Sequence, residues 1–210
     1  MKASKKRRVG IFRPESNFKD RFIPDYKELA DVVSHCKGLG LKIVLTQGTY
    51  DMVHIGHARY FEEAKKHGDI LIVAVDSDEK VRRRKGPERP IVPQEERLEM
   101  VAHTRPVDVV TLKEDHYPKW HLIKLIRPDI LIISETSGLY NRQKMAQLKK
   151  LCGKLVVLKP QATTSTSAKI RLMQINTAKK LKQTLTPKIM NLLEDLAGEK
   201  LTPKTSPKRK

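Results

Sequence analysis

The chain has 210 residues and a mass of 24.1 kDa, enough for one domain with appendages and a core that needs no disulfide or metal staple. Two cysteines, Cys36 and Cys152, make no disulfide framework, and the longest apolar runs (70–75 and 130–133) fall far short of the roughly 20 residues that span a bilayer. No apolar stretch follows the basic N-terminus, so secreted, transmembrane and wholly disordered chains are excluded and a cytoplasmic location is expected. The net charge of +19 is uneven: residues 1–22 carry +6, residues 168–210 carry +8, and the long middle only +5. The ends are basic and the body is nearly ordinary, which is not the basic folded face of a typical nucleic-acid binder.

In chain order, residues 1–22 show no sustained period and are expected as a basic, flexible arm. Asp25–Cys36 sets Tyr26, Leu29, Ala30 and Val33 at helical spacing, stopped by Gly38 and Gly40. Five apolar runs follow, at Lys42–Thr46, Ile70–Asp76, Asp108–Leu112, Asp129–Ser134 and Lys154–Leu158. They are continuous rather than alternating, as strands covered on both faces are. Helical patterns separate them at Ile55–His67, Pro93–His103, Lys119–Ile126 and Arg142–Leu151. Strand alternating with helix predicts a Rossmann-like, doubly wound α/β domain with a five-stranded parallel sheet over about 41–171, in a folded unit 23–171. A C-terminal helical extension is expected over 172–198. Thr186-Pro187 reads as a helix start and Gly198 as a stop, with Ile189, Leu193 and Leu196 on one packing face, and 199–210 as a disordered basic tail.

In such sheets ligands lie beyond the carboxyl ends of the strands. No GxxxxGK[ST] and no GxGxxG is present. The first strand instead leads into Thr46-Gln47-Gly48-Thr49-Tyr50-Asp51-Met52-Val53-His54-Ile55-Gly56-His57. Gly48 would let backbone approach a phosphate, and the incoming helix offers N–H groups to an anion. His54 and His57, three apart at a helix start, can face one site, with Gly56 leaving room for a ligand. Such a pair could stabilise charge developing during phosphoryl transfer. Ordinary surface histidines, or two metal ligands lacking a third, are the alternatives.

The whole string GTYDMVHIGH resembles the GTFDxxHxGH signature of the cytidylyltransferase-like nucleotidyltransferase family. Lys85-Gly86-Pro87-Glu88-Arg89-Pro90 with Gln94-Glu95-Glu96-Arg97 resembles that family's KG loop and following ER helix, and Thr164-Ser165-Thr166-Ser167 its ISTT/ISTS element. The resemblance implies transfer of CMP or AMP from CTP or ATP to a phosphorylated small molecule, with release of pyrophosphate. It implies nucleotide contacts for Gly48, Thr49, Tyr50, Gly56 and the 164–167 run, and phosphate-stabilising roles for His54 and His57. Lys85 falls on a lysine between the two reacting phosphates, and Arg97 and Arg105 on arginines around substrate and triphosphate.

Fixed cations suit this chemistry, since two anions must be forced together, and a substrate phosphate needs no general base near pH 7. Mg²⁺ on the phosphates is expected. Asp51 is read either as its outer-shell support or as an N-cap. Arg84 is read as a substrate contact or part of a solvated run, and Trp120 as a pocket wall or a packing residue. KGPERPIVPQEER is most similar to the adenylyltransferase domain of ADP-heptose synthases, while QEERLEMV and RPVD resemble ethanolamine- and glycerol-phosphate cytidylyltransferases equally well. Ser134-Glu135-Thr136-Ser137-Gly138 and Pro160-Gln161-Ala162-Thr163-Thr164 depart from the usual turn after strand four and from RTEGISTT, which leaves base and acceptor open. A homodimer and weak nucleic-acid contacts through the tails are expected. A non-catalytic nucleic-acid binder is the competing function, which the intact His pair, Lys85 and Arg97 disfavour.

Overall fold

The computed structural model describes residues 17–162 and 166–199. Five strands, β1 (Ile43–Gly48), β2 (Ile70–Asp76), β3 (Val109–Lys113), β4 (Ile130–Ser134) and β5 (Lys154–Leu158), form one parallel sheet in the order β3-β2-β1-β4-β5. The order reverses between β1 and β4, so the carboxyl end of β1 is the switch point where a ligand crevice opens. Helices α2 (Tyr26–Gly38), α6 (His121–Ile126) and α7 (Arg142–Leu148) cover one face; α3 (Ile55–Lys65) and α5 (Gln94–Ala102) cover the other.

Alternate residues of each central strand feed the two cores. Ile43 and Leu45 of β1 join Ile70, Ile72 and Ala74 of β2 on one face, while Val44, Leu71, Val73 and Val75 join Phe61, Leu98 and Val101 on the other. Every residue of β2 is buried, which accounts for its unbroken apolar run. The amino ends of the strands are fastened by aspartates. Asp69 accepts from Lys42 N (2.8 Å), Asp129 from Ile43 N (2.8 Å) and Asp108 from Leu71 N (2.7 Å), closing backbone donors that the sheet leaves open there.

The structure differs from the sequence reading in three elements. The last residues of the expected arm are folded: α1 (Phe18–Arg21) carries an Asn17 capping box, Phe18 and Phe22 stack at 5.1 Å, and Phe22 bridges Val110 of β3. A four-residue helix has no period to read. Residues 1–16 lie outside the described residues. A further helix, α4 (Asp78–Lys85), has only Val81 buried and so left no apolar stripe in the sequence. Thr186-Pro187 is not a helix start; the C-terminal extension is one continuous helix, α8 (Thr166–Glu199), with Pro187 inside it at the loss of one backbone hydrogen bond. Ile189, Leu193 and Leu196, expected to pack on the domain or across a homodimer, are each more than half exposed in the single chain. The chain divides into two compact units between Thr166 and Ser167. The expected tail lies, from residue 200, outside the described residues.

Candidate active site

Strand β1 ends at Gly48 and the chain reaches α3 through a loop with two left-handed non-glycine residues, Tyr50 (φ 51°) and Met52 (φ 50°). Two neighbours hold that conformation. The Tyr50 ring lies on Gly48, where a Cβ would come within 2.9 Å of it, and packs at 5.0 Å from Phe61. Burial pushes the Tyr50 hydroxyl well up, so it stays neutral beside Thr46. Gly48 is therefore needed for the aromatic ring, where the sequence suggested an approaching phosphate.

His54 is the N-cap of α3, its Nδ1 accepting from Gly56 N at 3.1 Å. The Nδ1 of His57 accepts from His54 N at 3.3 Å, and the two rings lie 4.1 Å apart. A neutral imidazole that accepts at Nδ1 carries its proton on Nε2, so the backbone assigns both rings the same tautomer. Space at Gly56 is taken by His54 itself and by Ala162, each 2.9 Å from where a Cβ would stand. The glycine thus seats the His54 ring rather than leaving room for a ligand. The same contact carries the chain after β5 to the His pair just before Thr164. Thr164 and Ser165 lie outside the described residues; Thr166 and Ser167 open α8.

The second side of the site comes from α4 and the segment after it. Arg84 Nη2 donates to Thr49 Oγ1 (2.9 Å) and pairs with Asp76 at the end of β2 (3.1 Å). Lys85 is the last residue of α4, followed by Gly86 at φ 98°. Its side chain is reached by solvent, yet partial desolvation and then the charges of Arg84 and Arg89 lower its pKa, against the pull of Asp76 and Asp51. No carboxylate lies within salt-bridge distance of Lys85 among the described residues. It is a cation placed among cations, which an incoming phosphate would relieve.

Asp51 and Arg97 are placed otherwise than expected. Asp51 is 2% exposed and accepts from Arg89 Nε (3.0 Å), Ile91 N (3.1 Å) and Val92 N (3.0 Å), with Arg89 Nη2 at 2.7 Å. Burial opposes its charge, but the Val92 and Ile91 N–H groups and the Arg89 guanidinium hold its carboxyl below the ordinary value. It is neither the helix cap, which is His54, nor a carboxylate open to a metal; it latches the 89–92 segment to the β1 loop. Arg97, 1% exposed, spends its guanidinium on Val92 O (2.9 Å), Thr49 O (2.5 Å) and Asp78 Oδ1 (2.6 Å). It positions the Thr49 loop from behind and offers no face to a ligand.

Arg105 lies in the exposed connection from α5 to β3, at the amino ends of the strands and so across the sheet from His54. Trp120 is the left-handed N-cap of α6 and packs partly buried on the α2–α6 core, with Lys119 Nζ 4.9 Å from its ring centroid. Sequence reasoning missed Asp76 and Lys113, which end β2 and β3 side by side (3.5 Å apart), and Arg89. Burial lowers the Lys113 pKa and Asp76 opposes that fall. A charged residue closing a wholly buried strand was the available signal for Asp76. No group of three or more His, Cys, Asp or Glu that could hold a metal occurs among the described residues.

A parallel α/β sheet whose first strand leads into two imidazoles set by backbone hydrogen bonds at a helix N-terminus, with a lysine that forms no ion pair among the described residues at the end of α4, has the make-up of a nucleotide-handling domain. Residues 45–184 match the cytidylyltransferase-like family, and the chain belongs to it; it is a nucleotidyltransferase. It is similar to the bifunctional protein HldE of Nitratiruptor sp. (42% identity over 113 residues, 54% of this chain and 24% of that protein). It is similar also to HldE of Haemophilus influenzae strain PittGG (39% over 168 residues, 77% and 34%). The chain thus matches about a quarter to a third of the length of these relatives. The structure of the lipopolysaccharide core biosynthesis protein of Thermoplasma volcanium is similar at a TM-score of 0.51 and 26% identity, over 58% of this chain and 98% of that one. Pantoate–beta-alanine ligase of Francisella tularensis shares the fold (TM-score 0.53, 14% identity, 70% and 69% covered).

Proposed function

We propose that this chain transfers AMP from ATP to a sugar phosphate, releasing pyrophosphate. The observation that carries the reading is the His54–His57 pair at the start of α3, whose Nδ1 atoms both accept from backbone and so leave Nε2 as the protonated nitrogen, with Lys85 at the end of α4. A phosphate oxygen of the acceptor attacks the α-phosphorus and forms the new P–O bond. The bond from that phosphorus to the bridging oxygen breaks, and pyrophosphate leaves with the electron pair. Lys85 screens the repulsion between the two phosphates, and the imidazole N–H groups stabilise charge on the transferring group. No proton has to move. The 39–42% identity to HldE proteins and the KGPERPIVPQEER segment favour ATP and a sugar phosphate over CTP and a phosphoalcohol.

Mg²⁺ would neutralise the triphosphate, borne by its oxygens and water, since the described residues provide no cage and Asp51 is committed to Arg89 and the 91–92 backbone. Among the described residues no helix is long and apolar enough to cross a membrane, and both cysteines are free, which suits a cytoplasmic enzyme. Pyrophosphate release should be screened with ATP and CTP against sugar phosphates, phosphoalcohols and FMN. Turnover with ATP and a sugar phosphate is expected; turnover only with CTP would reassign the base, and silence across the panel would overturn the reading.

A further inference from the structure

We propose that α8 joins two copies of this chain as an antiparallel homodimer. Leu181, Leu185, Ile189, Leu192 and Leu196 recur every three or four residues along its C-terminal half, and each is 48–61% exposed. A helix of 34 residues, carrying Pro187 within it and with its apolar stripe exposed, lacks the packed face that sustains most helices. The spacing is close to palindromic. Turning a second helix end for end with Leu196 level with Leu181 sets Leu192 level with Leu185, and the two Ile189 side chains meet beside the two-fold axis.

Charge selects this orientation. Lys179, Lys180 and Lys182 flank the stripe's first leucine, Leu181, while Glu194 and Asp195 precede its last, Leu196. Antiparallel pairing brings Lys182 level with Asp195, whereas parallel pairing sets lysines beside lysines and acids beside acids. Closing the exposed halves of these five side chains and their neighbours would bury roughly 500–800 Å² per copy, at the lower edge of the about 800 Å² typical of specific dimers. Acids within the stripe, and the absence of aromatic residues from the described part of the helix, argue against a lipid surface as the occupant.

The test uses the full chain in sedimentation equilibrium across about 10–200 µM, where twice the 24.1 kDa mass is expected. Leu185→Lys with Leu192→Lys should give the monomer. A spin label on Lys180→Cys, in a chain carrying Cys152→Ala, should report on the order of 26 Å or more between copies, the length of 17 helical residues; a parallel pair would bring the labels to about 10–15 Å. A monomeric wild-type chain overturns the proposal. So does a dimer indifferent to the two lysines, or a short label distance. A monomer that floats with phosphatidylserine vesicles would assign the stripe to lipid and overturn it equally.

Discussion

At the scale of single residues, the two imidazoles do different work under the same geometry. His54 caps α3 and His57 receives the cap residue's own N–H. His54→Ala therefore loses a cap, about 1 kcal/mol of stability, as well as a donor, whereas His57→Ala loses mainly the donor. Each should lower kcat by roughly 10²-fold or more. His54→Asn, which keeps a capping oxygen, should restore the melting temperature but not the turnover. Steady-state kinetics beside thermal melts separate the two contributions, and normal turnover in His57→Ala would remove the histidines from the chemistry.

Lys85 yields a second prediction at this scale. Its pKa is depressed, so its charge is lost, as pH rises, earlier than from an ordinary lysine near 10.4. A kcat/KM profile for the wild type should fall on an alkaline limb below that value. Lys85→Arg should lower the plateau, because a planar fork replaces a point charge, yet flatten the limb, because guanidinium keeps its proton. An identical limb in Lys85→Arg would mean that some other group titrates.

At the scale of elements, Asp51 ties the β1 loop to the segment that follows α4, so two loops distant in sequence behave as one wall. Asp51→Asn leaves the partly buried Arg89 charge without its counter-ion and turns an amide N–H₂ toward backbone donors. The cost expected from broken buried pairs is roughly 3–5 kcal/mol. Because the folded carboxyl value is lowered, the latch contributes in full above about pH 3.9, the ordinary carboxyl value, and is lost as pH falls through the lower one. Hydrogen exchange should show residues 86–93 opening first in Asp51→Asn at neutral pH, and in the wild type only in strong acid. Unchanged protection there would refute the latch.

What was legible at this scale follows from burial. The strands stood out to within a residue or two because both faces are covered, and no polar residue breaks β2 before Asp76. Helix α4 was illegible, since eight residues with a single buried side chain look like a charged loop. The His pair could be read as a motif, but the jobs of Asp51 and Arg97 could not. In sequence they are a carboxylate and an arginine near phosphate chemistry; in the fold each is below 3% exposed and consumed by backbone partners. Arg105 failed for a topological reason, as α5 carries the chain back to the far edge of the sheet before Arg105 occurs.

At the scale of the whole molecule, the charge and the proposed chemistry separate. Residues 1–16 and 200–210 carry +5 each of the net +19. Deleting both should leave transfer kinetics within about twofold while removing retention on DNA or RNA columns, which in the wild type should fall steeply between 50 and 200 mM salt, as phosphate contacts do. Loss of transfer in the shortened chain would place a functional residue in the ends.

The aspartates that fasten the strands all sit at one end of the sheet, and every group assigned to the candidate site sits at the other. Selection can therefore act on the two ends almost independently. A descendant of this gene could exchange the 134–141 or 113–120 connections, and with them its taste in base or acceptor, without touching the carboxylates that start the strands. Lineages of this fold should diverge by loop replacement long before they diverge in the frame that carries the loops.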